Sequence, residues 1–192
     1  MTLIIKHRVN TIEELKNTPK QYGVEIDIRP YEDKLILHHD PFNLGDEFEE
    51  FLKHYTHALL ILNIKSEGIE ERVLSLVRKY EVNNYFLLDV SPPFIIKLIN
   101  KGEHDIAIRF SEFECIETCM NFIGKVDWIF IDNITHLPIE NDSFKKLRKY
   151  FKLCIVSPEL LGRDDLENTK KVLLSNPVDA ILTKKIYDWN IK

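Results

Sequence analysis

Short, almost continuously apolar runs alternate along the chain with segments in which apolar residues recur every three or four positions. The runs are Leu3–Arg8, Gly23–Arg29, Ala58–Lys65, Tyr85–Val90, Asp105–Ser111, Val126–Ile134, Lys152–Glu159 and Val178–Lys184. Brief stretches dense in Leu, Ile, Val and Phe are what strands buried on both faces of a parallel sheet require. Lys34–Asp40 follows the second run across Pro30-Tyr31-Glu32-Asp33 and reads as an extra extended piece. Between the runs the pattern predicts helices at Thr11–Lys20, Glu67–Tyr80, Pro92–Lys101, Glu112–Ile123, Asp142–Tyr150 and Asp164–Ser175, with a short one near Asp46–His54. Thr11 followed by Glu14 has the spacing of a capping box. Ile69, Val73, Leu76 and Val77 share one helical face, and an Asp opens the last helix as a cap.

Eight strands with crossover segments between them predict a compact α/β fold, a (β/α)8 TIM barrel, as one domain over residues 1–192. A doubly wound open sheet uses the same alternation, but no Gly-rich turn follows the first strand to favour a dinucleotide-binding fold. At 192 residues the barrel is slightly below the usual range of roughly 200 to more than 400. No linker and no internal repeat interrupts it.

Composition narrows the function class. The formal charge is -5, from 26 Lys+Arg against 31 Asp+Glu, which argues against a non-specific nucleic-acid binder or a polybasic membrane binder. No apolar run approaches the ~18 residues that span a bilayer, and Met1–Arg8 lacks the pattern of a signal peptide. The expectation is a soluble, cytoplasmic protein without stable membrane insertion. Three cysteines, Cys115, Cys119 and Cys154, give no disulfide framework. Cys115 and Cys119 have the spacing of a half-site on one helix face, but such thiols are more often buried as small hydrophobes.

Polarity appears where the apolar runs end: His7-Arg8, Glu25-Ile26-Asp27, Asn63-Ile64-Lys65, Asp89, Arg109, Asp132, Glu159 and Thr183-Lys184. Any one of these reads as a solvated strand end, but in a barrel all of them converge on the mouth where such folds place their chemistry. Glu25 and Asp27, two apart on a strand, point to the same face and can meet one hard cation, Mg²⁺ or Ca²⁺. Their alternative role is pairing with Lys or Arg. His7 and His39 offer an acid/base pair working near neutral pH, while His38 should point elsewhere if its segment is extended. Arg8, Lys65 and Arg109 can neutralise an anionic substrate, or pair with the same carboxylates. Asp89 and Glu159, at two further strand ends, join Arg109 as candidate substrate contacts.

The ordered set His7-Arg8, Glu25-Ile26-Asp27 and His39-Asp40-Pro41 resembles the signature of the glycerophosphodiester phosphodiesterases, within the phosphatidylinositol-phospholipase-C-like barrel superfamily. Lys65 after Leu62-Asn63-Ile64 and the closing Asp179-Ala180-Ile181-Leu182-Thr183 match in character. The resemblance implies a barrel that cleaves a small-molecule phosphodiester with a bound divalent cation and no organic cofactor. It makes His7 and His39 the acid/base residues, Glu25 and Asp27 metal ligands, and Arg8 and Lys65 phosphate contacts. A substrate hydroxyl would attack phosphorus to give a cyclic phosphate that water then opens. Family members commonly carry Gly where this chain has Val9, and Glu where it has Asn63. An Asn carbonyl can still ligate a hard cation, without negative charge, and Asp89 is the neighbour that would compensate. The run 157–163, with Arg109-Phe110-Ser111-Glu112, resembles a small bacterial branch connected with surface-polysaccharide metabolism, which implies a glycerol phosphate or sugar phosphate substrate. A non-catalytic phosphate-binding barrel and a lyase that stops at the cyclic phosphate are the competing readings.

Overall fold

The computed structural model describes residues 2–139 and 141–189. All eight apolar runs contribute a strand: β1 (Leu3–Lys6), β2 (Gly23–Tyr31), β5 (Leu60–Ile64), β6 (Tyr85–Leu88), β7 (Ala107–Phe110), β8 (Trp128–Ile131), β9 (Lys152–Val156) and β10 (Ala180–Thr183). They pair in parallel as β1-β2-β5-β6 on one side and β1-β10-β9-β8-β7 on the other. A parallel bridge between Leu87 and Ile106, with the Leu87 amide donating to the Asp105 carbonyl at 2.8 Å, joins β6 to the segment entering β7. The circuit is closed, and the α/β fold is a (β/α)8 barrel rather than a doubly wound open sheet.

Closure explains the two-sided apolarity of the strands. Inward positions such as Ile5, Ile61, Phe86, Leu88, Phe130 and Leu182 pack into one interior cluster. Alternate positions, among them Val24, Ile26, Leu60, Leu62, Leu87 and Ile129, face the helices in a second cluster. On β2 the inward set is Gly23, Glu25 and Asp27, paired with Leu59 and Ile61 below and Asn63 above. The interior therefore changes from apolar to polar as it rises toward the C-terminal ends of the strands.

Among the described residues, seven α-helices occupy the crossovers: α1 (Ile12–Lys16), α2 (Phe48–His54), α3 (Glu70–Lys79), α4 (Pro92–Ile99), α5 (Ile116–Met120), α6 (Asn141–Arg148) and α7 (Leu166–Ser175). Both halves of the Thr11–Glu14 capping box are formed. The first and fifth helices are shorter than their periodicity predicts. Thr18 precedes Pro19, a position that resists helical backbone, and α1 ends at Asn17. Ahead of α5, Ser111 and Glu114 bond to one another and hold the chain in a turn. Asp165 precedes α7, but its carboxylate takes Arg163 instead of capping the helix. No helix among the described residues is long and apolar enough to cross a membrane.

The extra extended piece forms β3 (Lys34–Leu37), antiparallel to the upper part of β2, with Ile28 opposite Leu37 and Tyr31 opposite Lys34. A two-residue strand, β4 (Asp46–Glu47), pairs with β3 in turn. This flap stands outside the parallel wall and delivers residues 38–45 to the mouth. At the opposite end, Gly23 has no room for a side chain: an added Cβ would strike the Ile5 side chain and lie 2.8 Å from the Leu59 carbonyl oxygen. Gly23→Ala is expected to destabilise the barrel by about 1–3 kcal/mol through overpacking, read as a lower urea midpoint with an unchanged slope.

Candidate active site

The polar end of the interior is a cavity of about 210 Å³, lined by His7, Arg8, Glu25, Asp27, His39, Asn63, Lys65, Arg109 and Asp132, with Phe130, Leu160 and Leu182 among its apolar walls. Glu25 and Asp27 form its floor, each 1% exposed. Two buried carboxylates side by side are unfavourable, and donors from several strands offset them. Arg8 adopts a left-handed backbone, φ 55°, and its amide donates to Glu25 Oε2 at 2.8 Å. The Asn10 side chain donates to Asp27 Oδ2 at 2.9 Å and accepts from the Asp27 amide at 2.8 Å. Lys65 Nζ stands 3.3 Å from Asp27 Oδ1, and Arg8 Nε 4.0 Å from Asp27 Oδ2. Burial, and next the charge of Asp27, push the Glu25 carboxyl above the usual carboxylate range against these donors.

Asn63 bridges the pair. Its Nδ2 donates to Glu25 Oε1 at 3.0 Å and to Asp27 Oδ1 at 3.2 Å, while its Oδ1 is buried without a hydrogen-bond partner. Turning the amide over would point that carbonyl oxygen at the carboxylates. Two carboxylates and an amide oxygen then form a hard-oxygen set that suits Mg²⁺ or Ca²⁺. Among the described residues no cluster of three or more His, Cys, Asp or Glu is placed to hold a metal, so Asn63 decides whether the third donor exists.

His7 and His39 reach the cavity from different substructures. His7 follows β1 directly, with Nε2 3.9 Å from Glu25 Oε2 and Nδ1 buried without a partner. Burial, reinforced by the Arg8 charge, pushes its pKa down to about 4, so the imidazole is neutral at pH 7. His39 follows β3 on the flap, and its Nδ1 lies 2.7 Å from Asp40 Oδ1. That hydrogen bond holds the Asp40 carboxyl below its ordinary range. His38 turns back to accept from the Asp40 amide at 3.0 Å and does not line the cavity.

The opposite wall is an ion-pair network. Arg109 Nε meets Asp89 Oδ1 at 2.7 Å, and one terminal nitrogen meets Asp132 Oδ1 and Oδ2 at 2.7 and 2.6 Å. Its guanidinium carbon lies 5.0 Å from the centre of the Phe130 ring. Burial opposes the Arg109 charge, but the two carboxylates outweigh it and raise the pKa. Asp89 and Glu159 stand off the cavity. Asp89 lies 3.7 Å from Lys65 and holds Arg109, so its carboxylate is engaged by cations. Glu159 accepts from Ser157, Thr183 and the Lys184 amide.

Two residues of this constellation, Asn10 and Arg29, escape the sequence reading. Arg29 donates through Nε and a terminal nitrogen to the His39 carbonyl at 3.1 and 2.7 Å, and through its other nitrogen to the Lys65 carbonyl at 3.3 Å. It ties the flap to the end of β5. The signal was its place two residues beyond Asp27, continuing the period of Glu25 and Asp27.

No family model matches the sequence, and no curated protein sequence matches it. Solved structures do. A glycerophosphodiester phosphodiesterase from Agrobacterium tumefaciens superposes with a TM-score of 0.68 at 17% identity, over 95% of this chain and 96% of that one. A glycerophosphoryl diester phosphodiesterase from Parabacteroides distasonis gives 0.67 at 14%, over 97% and 84%. A phosphodiesterase from Oleispira antarctica, in complex with its product sn-glycerol-3-phosphate, gives 0.68 at 14%, over 97% and 94%. The chain has the fold of these proteins across nearly its whole length.

The His7 environment generates a signed pH dependence. Its folded pKa, about 4, lies below the ordinary 6.5. The unfolded chain therefore binds more protons between those values, and the His7 contribution to stability rises with pH across that window. In chelated protein the His7 imidazole should titrate near pH 4 by NMR, and His7→Asn should flatten the rise, by on the order of 3 kcal/mol.

Proposed function

We propose that this chain is a metal-dependent phosphodiesterase of the glycerophosphodiester phosphodiesterase kind, hydrolysing a small glycerol- or sugar-linked phosphodiester at the barrel mouth. The observation that carries the reading is the convergence of two histidines, one neutral and one paired with a carboxylate, on a cavity that also holds a carboxylate pair and three cationic side chains. The fold shared with three phosphodiesterases supports it, as does the sn-glycerol-3-phosphate bound by the Oleispira antarctica protein.

Each residue then has a task its environment suits. Arg8 and Lys65 neutralise the phosphate, and Arg109 fixes the far wall. Neutral His7 takes the proton from the attacking hydroxyl as its oxygen bonds to phosphorus. His39, oriented by the Asp40 carboxylate at Nδ1, delivers a proton to the departing alkoxide as the other P–O bond breaks. Where the nucleophile is a hydroxyl of the substrate itself, the first product is a cyclic phosphate. Water opens that ring with the two histidines in exchanged roles. A divalent cation held by Glu25, Asp27 and the turned Asn63 carbonyl would polarise a phosphoryl oxygen and offset charge that grows in the transition state.

A non-catalytic phosphate-binding barrel is the second reading, favoured by the Asn63 amide that already satisfies both carboxylates. Chelation and add-back over a panel of glycerophosphodiesters separates the two. Turnover restored by Mg²⁺ or Ca²⁺ is expected, with losses of about 10²–10⁴ in both His7→Ala and His39→Ala. Tight binding without turnover, or unimpaired turnover in both variants, would overturn the catalytic reading. Cyclic phosphate as the sole product would make the chain a lyase.

Arg29→Ala should retain the fold and lose up to about 10² in kcat with little change in KM, because it misplaces His39 rather than the phosphate site. Steady-state kinetics beside an unchanged thermal midpoint checks this.

A further inference from the structure

The barrel wall is lightly stitched between β6 and β7. Every other neighbouring pair of wall strands is joined by at least two residues in register. Among the described residues, β6 is paired to the segment entering β7 only at the Leu87–Ile106 bridge. Above the bridge Asp89 takes a left-handed backbone, φ 60°, a conformation costly for a residue with a side chain. At this seam lies a second cavity, of about 470 Å³. Its walls are chiefly Val90, Pro92, Ile95, Ile108 and Phe122, and Arg109 lines both this cavity and the catalytic one.

We propose that the seam is a subsite for an uncharged alkyl chain, the apolar alcohol of a phosphodiester whose phosphate occupies the mouth. The inference rests on the phosphodiesterase reading and extends it to the second half of the substrate. Size fits, since small-molecule pockets run from about 300 to 1,000 Å³. Chemistry selects the occupant. Of the charged groups lining the cavity, Asp89 and Arg109 are bonded to each other and Glu114 is bonded to Ser111, and Thr118 at the rim adds a single hydroxyl. A sugar would find these partners already engaged, and an anionic group would face the Asp89 and Glu114 carboxylates. A chain of methylenes needs no partner and gains free energy from the apolar walls. Arg109, held at the boundary by Asp89 and Asp132, separates the charged compartment from the apolar one.

The test uses a series of glycerophosphoalkyl diesters from ethyl to octyl, below their critical micelle concentrations. Binding is measured by calorimetry in chelated protein, and turnover with added Mg²⁺. Affinity is expected to rise about fourfold per added methylene while the chain is being buried. Thr118→Trp, on the exposed rim, should abolish that dependence and leave the ethyl diester bound and hydrolysed as in the wild type. Val90→Thr, nearly isosteric, should weaken octyl binding several-fold without affecting ethyl. Affinity independent of chain length, or a dependence undiminished in Thr118→Trp, overturns the subsite. Chain-length dependence without turnover of any member would keep the subsite and reject the phosphodiesterase reading. Turnover with flat affinity would do the reverse.

Discussion

Burying Glu25 and Asp27 side by side on β2 is a strain that much of the mouth is arranged to relieve. Hydration is lost, like charges approach, and neither carboxylate reaches solvent. The compensation comes from widely separated residues: an amide turned inward at Arg8, the Asn10 side chain, the Asn63 bridge from β5 and the Lys65 ammonium just beyond it. Because these donors belong to β5 and to the loops that follow β1 and β5, the carboxylates on β2 fix the relative heights of three barrel strands as well as a chemical site. The left-handed Arg8 backbone illustrates the exchange. Its conformational cost is accepted where it aims an otherwise free N–H at a buried oxygen.

The barrel was legible because closure imposes a strong pattern. Strands covered on both faces must be apolar throughout, and eight such runs survive any uncertainty about their ends. Glu25 and Asp27 were legible for the same reason inverted, since two acids inside an apolar run need an explanation. Arg29 and Asn10 were harder. Each acts through backbone or partner atoms brought close only by folding, and a lone Arg or Asn beyond a strand reads as solvated. Asp89 and Glu159 illustrate the opposite difficulty. A polar residue at the end of a barrel strand has the right address, but whether it faces the cavity or a neighbouring donor depends on side-chain geometry. Helix lengths followed local chemistry that periodicity does not register, with Pro19 shortening α1 and the Ser111–Glu114 turn shortening α5.

The two walls of the mouth differ in kind. On the β1–β2–β5 side the carboxylates are held mainly by neutral amides, with cations nearby, and the residues retain freedom to exchange partners. On the β7–β8 side Arg109 is paired with Asp89 and Asp132 through Nε and one terminal nitrogen and rests on Phe130. A guanidinium anchored on two sides contributes its shape and field from a fixed place, with one terminal nitrogen left outside both pairs. Recognition by exchange therefore belongs to the first wall, and the second serves as a fixed boundary.

His39 enters from the antiparallel flap, whereas His7 is built into the closed wall. A closed barrel resists distortion because every wall strand is paired on both sides, but an appendage held at one edge does not share that rigidity. The position of one imidazole is thus set by the barrel, and that of the other by the flap's pairing with β2 and the Arg29 tether. In evolutionary terms the two are separable inheritances. Changes in the length or sequence of residues 38–45 can move the His39 imidazole while leaving the carboxylate floor intact, so a lineage with this architecture can reshape its mouth without rebuilding its fold.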